Sequence, residues 1–183
     1  MWLPDKDPEN DGGNNNWLAP GDIEANPLKD FYPMKDNSVS LYQVEDDDEA
    51  SIKRIVAAIT LMSYPKDIEY TLIPPETLQL LEFEVEDIEA KTLDDDVNNW
   101  HRDIVRLSGT KMAKLGRAIK DLLTEGEYET FTEDDVIQAI VDSVKSKYVA
   151  RGKVIKAQRN QPNSSSKKLL QVLENLPSTT DEK

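Results

Sequence analysis

Between Val39 and Val154 the apolar residues come in short periodic runs, and Pro65, Pro74 and Pro75 cut the first half of that stretch into pieces. A chain punctuated in this way builds its core from several short elements rather than from one long helix or one broad sheet. "SVSLYQV" alternates Val39 and Leu41 with Ser40 and Tyr42, a strand pattern. Ile52, Ile55, Val56, Ile59 and Met62 recur at helical spacing and predict a helix from about Asp47 to Met62, which Pro65 prevents from continuing. "IEYTLIPP" reads as a second strand, and Pro75 suits the first turn of a short helix in "PETLQLLEF". "EVEDIEAKTL" reads as an acidic connector with no assigned structure.

After "LDDD", Val97, Trp100, Ile104 and Leu107 mark one helical face, and Met112, Leu115, Ile119, Leu122 and Leu123 mark another. The five-residue step from Leu107 to Met112 breaks the register at Ser108 and Gly109, which predicts two helices or one bent helix around that pair. A short extended piece in "YETF" precedes Thr132, an N-cap with Asp135 three residues on, and a stripe of Val136, Ile137, Ile140, Val141 and Val144 that Tyr148 extends. The expected fold class is α+β: a small, mostly helical domain over 38–155 with two or three short strands, flanked by extended polar arms.

The N-terminal arm, 1–37, is rich in turn formers and poor in apolar residues, so it offers little to offset the entropy of ordering. Trp2, Trp17, Phe31 and Tyr32 are spaced through it as anchors for docking. At the other end, 156–183, "AQRNQPNSSSKK" reads as a basic and polar linker and "SKKLLQVLENL" as a short amphipathic helix.

Composition narrows the chemistry. The chain has no cysteine, which removes disulfides, thiol nucleophiles and Cys-ligated metals, and its one histidine, His101, cannot build a His-rich metal site within one chain. Glycine loops of the phosphate-binding kind and Gly-x-Ser-x-Gly are absent. Beside the core-facing Trp100, His101 reads as a structural histidine at the core edge. No stretch approaches the roughly 18 apolar residues of a membrane span, and Met1 to Pro20 lacks the order of a signal peptide, so a cytoplasmic, soluble chain with no membrane contact is expected.

The net charge of −14 is unevenly distributed: −17 over 1–99, +5 over 100–120, −8 over 121–144, +8 over 145–168 and −2 over 169–183. The dense acids of Glu45–Glu49 and Asp94–Asp96 stand where helices begin, where carboxylates cap free N–H groups, and they lack the spacing of a calcium loop. A metal-dependent phosphoryl-transfer site would need Asp46–Asp48 and Asp94–Asp96 to converge. The first basic island, "HRDIVRLSGTKMAKLGRAIK", places Arg102 and Arg106 before the Ser-Gly break, with Lys111, Lys114 and Arg117 after it. Lys114, Arg117 and Lys120 fall opposite the apolar face, the outline of a helix-turn-helix with a cationic outer side. The second island carries Lys145, Lys147, Arg151, Lys153, Lys156 and Arg159, able to follow a phosphate backbone as a flexible segment.

Three functional readings follow. With no catalytic constellation and no cofactor motif, and with docking arms and segregated charge, the leading expectation is a non-catalytic adaptor or accessory subunit that binds a protein partner within a larger assembly. The alternative is a nucleic-acid-binding regulator using the two basic islands, although the acidic first half opposes phosphate. A further alternative is an acidic inhibitor that imitates nucleic-acid charge.

Overall fold

A computed structural model describes residues 38–44, 48–126, 128–161 and 163–177. Its architecture is α+β, with seven helices and five short strands among the described residues where two or three strands were expected. Contacts divide the chain into two compact units that interleave along the sequence. Among the described residues, the first takes 38–41 with Glu69–Ile88 and His101–Thr130, and the second takes Tyr42–Ile68, Glu89–Trp100 and 131–177.

In the first unit, β1 (Val39–Tyr42), β4 (His101–Val105) and β3 (Glu84–Asp87) form a sheet in the order β1-β4-β3. β3 runs antiparallel to β4, with Glu84 opposite Val105, Val85 opposite Ile104, Glu86 opposite Asp103 and Asp87 opposite Arg102. The core gathers Ile104, Leu107, Met112 and Leu115, with Val39, Leu41, Ile73, Leu78, Phe83 and Ile119 packed against them. Two helices belong here, the short α2 (Pro75–Leu80) and the longer α4 (Gly109–Thr124). Met112, Leu115 and Gly116 are the buried residues of α4, so one apolar stripe ties the helix down. β2 (Ile68–Tyr70) and β5 (Glu129–Phe131) make a two-stranded sheet, and the Tyr70 hydroxyl donates to the Glu129 carboxylate at 2.6 Å.

The second unit is helical: α1 (Glu49–Thr60), α3 (Asp95–Trp100), α5 (Glu133–Lys145), α6 (Arg151–Arg159) and α7 (Ser164–Glu174). Asp48 caps α1, its carboxylate accepting from the Ala50 and Ser51 amides, and Pro65 follows the helix as the sequence implies. Ile55, Ala58 and Val97 form one core cluster with Tyr42, Val44, Ile59 and Trp100 around them. Thr132 and Asp135 form the expected capping box at α5, and Val136, Ile137, Ile140 and Val141 are buried along it. Tyr148, expected to extend that stripe, is instead half exposed.

Two expectations are corrected. The first helix of the helix-turn-helix does not continue past Trp100: residues 101–105 are the strand β4, and Ser108 is the N-cap of α4 rather than a bend between helices. β4 lies between two neighbours and buries His101, Asp103, Ile104 and Val105, residues on both its faces, so it shows no polar-apolar alternation. The helical spacing of Trp100, Ile104 and Leu107 across it is accidental. The basic run after Tyr148 is no flexible segment either. It folds as α6 and α7, which bury Val154, Gln158, Leu169 and Leu173. The Gln158 amide donates to the Ser63 carbonyl at 3.3 Å and its oxygen accepts from Ser166 at 2.7 Å. Part of the packing of α6 and α7 is therefore done by polar side chains, which hydrophobic periodicity does not register.

Candidate functional site

The segment from Pro74 to Ile88 explains how the first unit presents a surface. Pro75 opens α2 at a position where its missing N–H costs nothing, and the helix lasts only to Leu80. Glu82 then takes a left-handed conformation, φ 57°, unusual for a residue with a Cβ, and turns the chain into β3. The Phe83 amide donates to the Leu78 carbonyl at 3.0 Å and fastens the corner. Outside it, Leu80 is 83% exposed, Val85 42% and Ile88 40%, while all four residues of β3 are exposed. Among the described residues no strand pairs with the far side of β3.

The basic residues of 101–106 are bound into this unit. Arg102 meets Asp87, its cross-strand neighbour, at 2.7 Å. Arg106, at φ 53° just past β4, pairs with Glu84 and, at 3.0 Å, with Glu86. On α4, Ser108 accepts from the Lys111 amide at 3.2 Å. Lys114 and Arg117 are exposed on its outer side as expected, whereas Lys111 is half-buried.

His101 is buried, and its Nδ1 lies 2.6 Å from the Ile88 carbonyl while its Nε2 lies 3.5 Å from Asp103. Asp103 also accepts from the Ser40 hydroxyl at 2.9 Å. These contacts join β1, β4 and the end of β3, which is a structural placement for the lone imidazole.

In the second unit the other basic island is also largely engaged. Arg151 donates to the Leu176 and Glu174 carbonyls at 3.3 and 3.2 Å, satisfying free acceptors at the end of α7. Arg159 lies 3.9 Å from Glu174, and Lys145 lies 3.7 Å from Asp142. Lys168 pairs with Asp134, whose hydrogen bond raises the lysine pKa. Lys147 sits at φ 62° in the turn after α5. Lys153 and Lys156 remain exposed on α6.

Asp94 acts as the expected cap, accepting from the Asp96 and Val97 amides at 3.1 and 3.3 Å. It also holds Arg54 in a two-pronged pair at 2.6 and 2.8 Å, a contact no sequence spacing announces. No group of three or more His, Asp or Glu side chains arranged to hold a metal ion occurs among the described residues. Asp46, Asp47 and the arm anchors Trp2, Trp17, Phe31 and Tyr32 lie outside them. No helix among the described residues is long and apolar enough to cross a membrane.

The missed element of this site, β3, had a signal. Phe83 and Val85 alternate with Glu84 and Glu86, a period of two obscured by the acidic content around it. No family model, curated protein or solved structure matches this chain.

Proposed function

We propose that this chain is a non-catalytic adaptor or accessory subunit that binds another protein. The observation that supports this most is the exposure of three large apolar side chains within one short segment, Leu80 at the end of α2, Val85 on β3 and Ile88 just after it, each of which leaves apolar surface open to a partner. The fate of the cations adds to it. Arg102, Arg106, Arg151 and Arg159 all have internal carboxylate or carbonyl partners, which reduces their attraction for phosphate.

The test is quantitative capture with the full chain, comparing wild type with Leu80→Asp/Ile88→Asp after nuclease treatment. The expected result is a protein partner retained by wild type and lost by the variant, while the variant keeps its urea midpoint because both positions are exposed. Equal capture by both, or capture abolished by nuclease, would overturn the reading.

The exposed Lys114 and Arg117 on α4 favour a second reading, binding to nucleic acid. It requires anisotropy with a labelled duplex to show micromolar binding that weakens from about 50 to about 200 mM salt, and Lys114→Glu/Arg117→Glu to abolish it.

A further inference from the structure

We infer that the free edge of β3 accepts an extended, basic segment of a partner protein as an additional strand. The inference rests on the protein-binding reading above and names its site and the partner's chemistry.

An exposed edge strand carries unsatisfied N–H and C=O groups that an incoming strand can pair. Charged edge residues commonly serve to prevent such pairing, but the charge here has one sign. From Glu69 to Glu89 the chain has seven acidic residues and no basic one. In a second copy laid against β3, Glu84, Glu86 and Asp87 would face carboxylates of their own kind, and like charges opposite one another are destabilising. A strand with Lys or Arg at alternate positions meets no such penalty.

The internal arginines do not exhaust these acids. Arg102 and Arg106 both come from β4 or just beyond it, on the inner side of β3, and a carboxylate offers about four lone-pair sites. The Asp87 side chain is still 83% exposed with Arg102 bound, and Glu84 and Glu86 are about half exposed. Val85, partly exposed and on the face of β3 opposite to that of Glu84 and Glu86, offers apolar contact to the residues of the incoming strand that alternate with its cations. Charge therefore selects the partner, and backbone pairing holds it.

The test is amide hydrogen exchange on the full chain, titrated with an acetylated peptide of alternating lysine and valine. Two controls accompany it: the same peptide N-methylated at every second backbone nitrogen, and its glutamate-valine counterpart. At about ten times its Kd, the lysine peptide is expected to slow exchange within 84–88 about tenfold, while neither control does so. No slowing up to about 1 mM peptide would overturn the proposal. Equal slowing by the N-methylated peptide would overturn it too, because attraction without strand pairing would then suffice. Slowing that follows the chain's own concentration without peptide would assign the edge to a second copy instead. If the peptide fails while the Leu80→Asp/Ile88→Asp variant still loses its captured partner, the edge is excluded and the protein-binding reading survives.

Discussion

Arg54 and Asp94 form a two-pronged ion pair, Nε to Oδ2 at 2.6 Å and Nη2 to Oδ1 at 2.8 Å, with the Asp94 side chain only 1% exposed. The guanidinium carbon also lies 3.7 Å from the Tyr148 ring centroid and 5.2 Å from that of Trp100. Burial pulls the Arg54 pKa down, but the hydrogen bonds to Asp94 and Asp96 outweigh it and raise the value overall. One residue of α1 thereby fixes the start of α3.

Removing that cation leaves a buried carboxylate without its partner. Arg54→Ala is expected to lower stability by about 3 kcal/mol, read from urea denaturation. Arg54→Lys should recover only part of this, because an ammonium cannot reproduce the planar fork. The double variant Arg54→Ala/Asp94→Ala should cost less than the sum of the single changes, and full additivity would refute the coupling.

Arg106 sets the contrast. Its pairs with Glu84 and Glu86 are solvent-exposed, so Arg106→Ala is expected to change stability by only about 0–1 kcal/mol in the same assay. A loss comparable with that of Arg54→Ala would mean that β3 is held to β4 mainly by this residue.

The C-terminal helix is part of the second unit's core. Leu169 and Leu173 are fully buried, so either Leu→Ala change is expected to cost about 2–5 kcal/mol by thermal or chemical unfolding. A cost below about 0.5 kcal/mol, the usual size of surface effects, would show α7 to be a detachable tail.

The helix caps predict an acid limb. Hydrogen bonds from Ser51 and the Ala50 amide hold the Asp48 pKa below 3.8, and those from the Thr132 hydroxyl and amide do the same for Asp135. A carboxyl whose pKa is lower folded than unfolded stabilises the fold above its unfolded value, and that contribution disappears as pH falls through the folded value. Stability should therefore decline as pH drops below about 4, and Asp135→Asn should flatten the decline. An identical slope in the variant would remove the cap as its cause. Separately, Thr132→Ala is expected to cost about 1 kcal/mol at neutral pH.

Local signals suffice where one segment carries both the pattern and its stop. Pro65 and Pro75 framed their elements, Thr132 and Asp135 formed the box their spacing implied, and Val136 to Val141 buried the stripe they described. β4 carries no strand signal because a strand buried on both faces loses its period, and Trp100, Ile104 and Leu107 then mimic a helix. α6 shows a weak apolar pattern because Gln158 is buried through hydrogen bonds to Ser63 and Ser166, residues distant along the chain or across a turn.

For the candidate site, sequence alone determined the charge blocks, the outward side of α4 and the acid-only run around β3, since these depend on composition and helical period. Tertiary structure decided which charges remain available. Arg102 faces Asp87 only because β3 and β4 pair in that register, and Arg54 finds Asp94 forty residues away only when α1 and α3 pack. Ion pairing depends on distance in space, and the linear order of residues leaves that distance open until the chain has folded.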